Sequence, residues 1–309
     1  MDLSVSEARP PSAEAREVPD LHARIQAMLA KELFFIGAYP KSGTTWLQLM
    51  LNAHPEIGCS GEGHFIDHFA RHLETAMNTH NKFINRKNLT IFREFQPFPC
   101  FDSSDYRYLL RSAIALALLR AGDKQDVRMI GEKTPDNVVH FHRLEALFPA
   151  AKFLHMVRDG RDCAVSAWFH NQRINPEEQQ RRFPTMNHFV QHVAANWKAC
   201  VEHGLQFGEA RHGRCMVVRY EDLCHHPRET LRAMLLFLGA DAGAGVVRRC
   251  IAAAAFEKLT GGRVPGAEDR SSFLRRGTPG NWQEHLSADN NSSFVAVAGA
   301  AMARLGYQN

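Results

Sequence analysis

A short apolar strand pattern that runs through a glycine turn into a helix pattern constrains the fold more than any other feature of this sequence. Residues Leu33 to Ala38 read LFFIGA, residues Tyr39 to Trp46 read YPKSGTTW, and a helical pattern covers Thr45 to Ala53. The backbone N–H groups of such a turn and the dipole of the following helix both favour an anion. The turn also carries one cationic side chain and three hydroxyl donors, Lys41, Ser42, Thr44 and Thr45. These residues predict an anion site, whereas the simpler alternative is a capped helix start with a chance lysine.

Three further apolar runs are short enough to be strands of the same sheet: Val127–Gly131, Lys152–Val157 and Arg214–Arg219. Runs of this length that are apolar on both faces are typical of a parallel sheet covered by helices. Helical patterns lie between them, over Tyr106–Ala121, Asn137–Phe148, Asp162–Asn171, Asn187–Ala210 and Pro227–Leu238. The alternation predicts an α/β fold, a three-layer sandwich with a central parallel sheet.

The composition divides the chain into a short tail and one long domain. Residues 1–20 are rich in Ala, Glu, Arg, Ser and Pro, a mixture that predicts a flexible N-terminal tail. Residues 21–309 are expected to form a single domain with long insertions. Two insertions, Glu62 to Cys100 and Asn171 to Thr185, are polar and aromatic without a clean period, and we expect them to be lids or acceptor-binding loops.

Charge and cysteine content restrict the class of protein further. The formal net charge of +4 is too small to indicate nucleic-acid binding, although it allows a local basic pocket. No apolar run reaches the roughly 18 residues of a membrane span, and the N-terminus lacks the pattern of a secretory signal. The seven cysteines are odd in number, widely spaced and without a C-x-x-C, which predicts reduced thiols in a cytoplasmic protein. Nothing in the sequence indicates an oligomeric state.

The octapeptide from Tyr39 to Trp46 differs from a Walker A loop, because Lys41 precedes Gly43 by two residues instead of following it. It resembles the 5′-phosphosulfate loop of sulfotransferases that use 3′-phosphoadenosine 5′-phosphosulfate (PAPS). The resemblance implies the P-loop-like sulfotransferase fold, PAPS as co-substrate and no metal. A P-loop kinase using ATP and magnesium and a catalytically inactive nucleotide-binding protein remain the alternatives.

Three later segments match the same family in the same order. Arg158, at the end of a predicted strand, and Ser166, eight residues later, resemble the pair that binds the 3′-phosphate. Arg275, Arg276 and Gly277 resemble the family's Arg-Lys-Gly segment that closes over this phosphate. The segment departs from the family pattern in having Arg for Lys, then Asn for Asp and Gln for Lys, at Arg276, Asn281 and Gln283. The resemblance also implies that Tyr220 and Trp46 hold the adenine, as aromatic faces suit a base.

Sulfuryl transfer requires stabilisation of the leaving oxygen, contacts to the sulfuryl oxygens and a base for the acceptor. We assign Lys41 to the leaving oxygen and Lys133 to transition-state charge, whereas Ser166 completes the expected catalytic set. Cytosolic members have a His after a Lys-Thr pair, where this chain has Pro135. Glu62 occupies the place of the base in the tyrosylprotein and heparan-type branch, so we expect Glu62 to be the base, with His64 in reserve.

Two questions stay open at this stage. A possible zinc pattern, His64, His68 and His72 with Asp67 between them, lacks an HExxH motif and a cysteine partner, and we expect no metal. The acceptor offers a hydroxyl or, less readily, an amine, and a small molecule, lipid, glycan or peptide fits equally well. Aromatic residues that line an acceptor pocket or belong to the core are Phe65, Phe69, Phe83, Phe92, Phe95, Phe98, Phe101 and Trp168.

Overall fold

A parallel sheet forms the centre of this computed structural model, which describes residues 13–121, 124 and 127–308, with side chains from residue 20 onward. Within those residues the sheet has five strands, β1 (Glu32–Ala38), β2 (Ile57–Gly61), β3 (Met129–Lys133), β4 (Lys152–Val157) and β5 (Cys215–Arg219). Their order is β2-β3-β1-β4-β5, and every neighbouring pair is parallel. The first strand therefore lies in the middle, where its carboxyl end is flanked by β3 and β4.

Helices connect the strands, as parallel pairing requires. The first half of the chain contributes α1 (Ala13–Leu29), α2 (Thr44–Asn52), a π-helical turn (Phe65–Phe69), α3 (Ala70–Thr90), α4 (Ser103–Ala121) and α5 (Asn137–Leu147). The second half contributes α6 (Gly160–Ile174), α7 (Pro176–Arg182), α8 (Met186–Ala210), α9 (Tyr220–His225), α10 (Pro227–Leu238), α11 (Ala244–Ala253), α12 (Phe256–Leu259), α13 (Trp282–His285) and α14 (Ala288–Arg304).

Alternate side chains of β1 pack into opposite faces of the sheet. Phe34 and Ile36 belong to a core with α2 and α10, whereas Leu33 and Phe35 belong to a core with α4 and α5. A third core surrounds the fully buried Trp197 and joins α6, α8 and α14. Burial on both faces gives the three layers, so the predicted α/β sandwich is confirmed.

The predicted strands agree with the structure to within two residues, and Lys152–Val157 agrees at both ends. β2 was not among the predicted strands, because its five residues include two glycines, which weaken a strand pattern. The expectation of irregular loops is wrong over α3 and α7. Helix α3 shows no clean apolar period because, of its 21 residues, the buried ones are Ala70 and Met77.

The predicted tail, residues 1–20, falls mostly on residues that the structure does not describe, and α1 begins at Ala13. All seven cysteines are free thiols. In the described part of the chain, no helix is both long and apolar enough to cross a bilayer.

Candidate active site

The loop between β1 and α2 has a backbone that only glycine accommodates at one position. Gly43, the N-cap of α2, has a φ of 91°, and a Cβ there would lie 2.6 Å from the ring of Tyr220. Ser42 is fully buried and donates a hydrogen bond from Oγ to the Tyr39 carbonyl at 2.7 Å. Among the residues that the structure describes, no side chain caps the N-terminus of α2. Its first N–H groups and the positive end of its dipole are therefore available to an anion.

This loop opens into a cleft of about 760 Å³ at the carboxyl edge of the sheet. Most of the site residues expected from the sequence line it: Lys41, Gly43, Thr44, Thr45, Trp46, Glu62, Arg158, Ser166, Tyr220, Arg275, Arg276 and Gly277. Ser42 and Lys133 are not in its lining and are buried. Residues that are up to 236 positions apart in the sequence thus meet around one cavity.

Lys41 is the cationic residue of the turn itself, and its backbone also has a positive φ, of 70°. Its Nζ lies 4.5 Å from the ring centroid of Phe273, a cation–π contact. Burial, and then the charge of Arg173, lowers the pKa of Lys41 to about 8. A bound anion beside the ammonium group would favour its charged form.

Arg158 follows the end of β4 directly and contacts the turn. Its guanidinium donates to the Lys41 carbonyl at 3.3 Å and contacts Asp162 Oδ2 at 3.4 Å. The same group lies 4.3 Å from the ring centroid of Tyr220. The Tyr220 ring in turn meets Trp46 edge-on, with centroids 5.8 Å apart. A buried arginine and two aromatic rings therefore share one wall of the cleft.

Asp162 holds residues 275–282, here called the C-terminal loop, against this wall. Its fully buried carboxylate accepts hydrogen bonds from the backbone N–H of Gly280 at 2.7 Å and of Trp282 at 2.9 Å. It also pairs with Arg158. The Asp162 carboxylate thus holds the loop of residues 275–282 next to Arg158.

The two arginines of the C-terminal loop already have protein partners. Arg275 donates to Glu268 and to Asn281, and Arg276 donates to both carboxylate oxygens of Glu284, at 2.6 and 2.7 Å. Among the described residues, however, the buried Nε atoms of Arg158, Arg275 and Arg276 have no hydrogen-bond partner. Three unpaired donors around one cleft suit a ligand with a phosphate group.

Glu62 lies between a buried cation and a histidine. It accepts a hydrogen bond from Lys133 Nζ, which also donates to Thr45 Oγ1 at 3.2 Å. The Lys133 side chain is 3% exposed, whereas that of Glu62 is 41% exposed. The other oxygen of Glu62 lies 3.6 Å from His64 Nε2. One side of the Glu62 carboxylate is thus fixed to the core while the other side faces solvent and the cleft.

His64 is oriented by Asp67, because its Nδ1 lies 2.6 Å from Asp67 Oδ2. This hydrogen bond raises the pKa of His64 above its ordinary value. One group of side chains in the described residues could hold a metal ion. It consists of His64, Asp67 and Asp136, whose ligand atoms lie within 4.8 Å of one another. His68 and His72 instead contact each other with tilted rings, whose centroids are 4.6 Å apart.

The family model for sulfotransferases matches residues 34–242, which is more than half of the chain. The chain belongs to the sulfotransferase family. Protein-tyrosine sulfotransferase 2 of Gallus gallus is 26% identical over 309 residues, covering 97% of this chain and 76% of that protein. The protein-tyrosine sulfotransferase of Drosophila melanogaster is 28% identical over 208 residues, covering 67% of this chain and 38% of that protein.

Among solved structures, the mouse sulfotransferase SULT7A1 complexed with PAP aligns with a TM-score of 0.51 at 17% identity. The alignment covers 91% of this chain and 88% of that one. The likeness confirms the expected P-loop-like sulfotransferase fold. The expected membership of an enzyme family that transfers sulfuryl groups is confirmed as well.

The structure adds three residues to the site that sequence reasoning did not single out. Asp162 fastens the C-terminal loop, and Phe273 contacts Lys41. The buried Glu132 accepts hydrogen bonds from the Gly63 N–H at 2.8 Å and from Thr134 at 2.6 Å, and so fixes the backbone beside Glu62. An acidic residue in each segment, directly before Lys133 and four residues after Arg158, was the signal available in the sequence.

The aromatic residues proposed for the acceptor pocket do not line the cleft in the described structure. Phe65 and Trp168 are partly buried against the cores, and the other six are exposed. The aromatic lining comes instead from Phe183, Phe189, Phe256 and Phe273, together with Tyr39, Trp46 and Tyr220. Of the two predicted acceptor segments, the second contributes Asn171, Arg182 and Phe183, whereas the first contributes only its beginning, Glu62 and His64.

Proposed function

We propose that the chain is a PAPS-dependent sulfotransferase that transfers the sulfuryl group in line to a hydroxyl, or less readily to an amine. The observation that carries the proposal is the convergence of Lys41, Lys133 and Glu62 on an uncapped helix N-terminus, with Arg158 in contact with the same turn. PAPS supplies an already activated sulfuryl group. The protein is therefore required mainly to position the two substrates and to stabilise the charge of the transition state.

The donors in the cleft fit the two anionic ends of this co-substrate. The turn at Gly43, with Lys41, suits the 5′-phosphosulfate. The unpaired Nε atoms of Arg158, Arg275 and Arg276 suit the 3′-phosphate, and Ser166 and Gly277 line the same cavity. Trp46 and Tyr220 offer rings to the adenine. Lys41 has the role of stabilising charge on the leaving oxygen.

Glu62 takes the proton from the acceptor, and Lys133 holds Glu62 in place while it contributes charge to the sulfuryl oxygens. The support for Glu62 is its half-exposed carboxylate beside a buried ammonium group. His64, held by Asp67, is the alternative base because its Nε2 points to the same carboxylate. The named relatives that sulfate protein tyrosines favour a hydroxyl acceptor. The seven free thiols favour a reducing compartment, and we propose a cytoplasmic location.

The test is incubation with sulfur-labelled PAPS and pooled acceptors (phenols, tyrosine peptides, alcohols, glycans and lipids), with labelled products identified by mass. We expect transfer without added magnesium and in the presence of a chelator. A Lys41→Ala preparation serves as the matched blank. Phosphoryl transfer from labelled ATP that requires magnesium would contradict the proposal in favour of a kinase. Tight binding of the desulfonated product, adenosine 3′,5′-bisphosphate (PAP), without transfer to any acceptor pool would favour an inactive nucleotide-binding protein.

A further inference from the structure

Residues 81–101, the second half of α3 and the segment that follows it, form an arm whose apolar side chains are turned to solvent. Its large exposed apolar side chains are Phe83, Leu89, Ile91, Phe92, Phe95, Phe98 and Phe101, each between 43% and 74% exposed. A soluble protein rarely leaves so many large apolar groups together in water without a binding role.

The arm is a built structure, although it buries little. Asn81 and Asn88, two turns apart on the same face of α3, each form a pair of hydrogen bonds with the returning segment. Asn81 donates to the Phe101 carbonyl at 2.7 Å and accepts from its N–H at 2.9 Å. Asn88 makes the same two bonds with Phe98, at 2.9 and 3.0 Å. The segment from 91 to 101 is thereby held antiparallel to α3, and its phenylalanines are displayed at fixed positions.

Basic side chains alternate with the phenylalanines. The arm contains four basic residues, Lys82, Arg86, Lys87 and Arg93, against one acidic residue, Glu94, a net charge of +3. The formal charge of the whole chain is only +4, so most of the excess lies in these 21 residues. Arg86 and Lys87 approach the ring of Phe83 to 6.0 and 5.6 Å. Cationic heads thus lie beside apolar rings on one short element.

We propose that this arm docks the protein on an anionic lipid membrane. Aromatic rings enter the boundary between headgroups and acyl chains, while lysine and arginine remain at the anionic headgroups. Clustered cations interleaved with exposed aromatic rings on one short element are typical of a surface that binds an anionic membrane. The first half of α3 connects the arm to the π-helical turn that begins at Phe65, next to His64 of the cleft. The docking proposal does not depend on the reaction proposed above.

The test is flotation of the full chain with vesicles of phosphatidylcholine alone or mixed with phosphatidylserine. We expect binding to the mixed vesicles that weakens with salt and little binding to the neutral ones. Phe92→Ser with Phe95→Ser, and separately Lys82→Glu with Arg93→Glu, should each lower the partition coefficient at least about tenfold. All four side chains are exposed, so the variants should melt like the wild type.

Matched controls come from the far side of the sheet. Leu236→Ser on α10, an equally exposed apolar side chain, and Arg248→Glu on α11 should bind vesicles like the wild type. Absence of vesicle binding, or equal losses in the controls, would overturn the proposal. Loss in the charge variant alone would mean plain electrostatic adhesion and would overturn it too. So would self-association in sedimentation velocity that the serine variant abolishes, because the arm would then bind a second copy.

Discussion

Glu62→Gln separates the role of Glu62 as a base from its role as a partner of Lys133. The glutamine keeps the size and one carbonyl oxygen for the Lys133 ammonium group but does not accept a proton at working pH. We expect turnover to fall by about a hundredfold or more, the usual contribution of a general base. The affinity for PAP should stay close to that of the wild type, because the expected nucleotide contacts are on other elements.

The structural cost of the same change is small, since Glu62 is 41% exposed and water screens its ion pair. A loss of about 1 kcal/mol is expected, which lowers Tm by about 1–2 °C in a chain of this size. Glu56→Gln is the matched control, because Glu56 is also half-exposed and contacts Arg128 at 3.6 Å, away from the cleft. It should change stability to a similar extent and leave turnover intact.

The assay is the initial rate with labelled PAPS at saturating acceptor, together with calorimetric titration of PAP. If Glu62→Gln keeps most of its activity and His64→Ala loses it, the base is His64 and the assignment is wrong. If both variants stay active, neither residue is the base, and the comparison with the tyrosylprotein branch fails.

Three further predictions concern Lys41 in the cleft and Asp162 behind it. Lys41→Ala should lose about a hundredfold or more in kcat with a smaller effect on PAP affinity, and near wild-type turnover would refute the phosphosulfate-loop assignment. Because the pKa of Lys41 is lowered to about 8, its charged form is lost as pH rises through that value, so kcat/KM should fall on the alkaline side. Lys41→Arg should move that fall to higher pH, and an unchanged profile would show that another group titrates. Asp162→Asn leaves the backbone N–H of either Gly280 or Trp282 poorly paired. We expect this change to weaken PAP binding at least about tenfold in calorimetry. An unchanged affinity would show that the C-terminal loop is held in place without the Asp162 carboxylate.

The strand-turn-helix at Lys41 could be predicted from sequence because its signals are local. An apolar strand, a glycine in a left-handed turn and a helix start lie within twenty residues. Arg158 and Ser166 were predicted from their resemblance to the family's 3′-phosphate pair, which follows a strand at the same spacing as they follow Lys152–Val157. Strand–helix alternation likewise predicted the sheet and its layers.

Other features depend on contacts that the sequence does not reveal. Helix α3 has almost no buried face, so it lacks the apolar period that marks most helices. The aromatics of the first insertion were expected in an acceptor pocket or in the core, yet most of them are exposed, and the cleft takes its rings from Phe183, Phe189, Phe256 and Phe273. Asp162 acquires its role only when a loop about 120 residues later folds onto it.

The central claim is that the cleft recognises PAPS through both of its anionic ends, and nucleotide affinity tests it without knowledge of the acceptor. Calorimetric titration should compare PAP with adenosine 5′-phosphate, which lacks the 3′-phosphate, and with ATP. The three arginines around the cleft predict that PAP binds at least about tenfold more tightly than either and raises Tm accordingly. Equal affinity for the three nucleotides would contradict a 3′-phosphate site at Arg158, Arg275 and Arg276, and with it the assignment of PAPS.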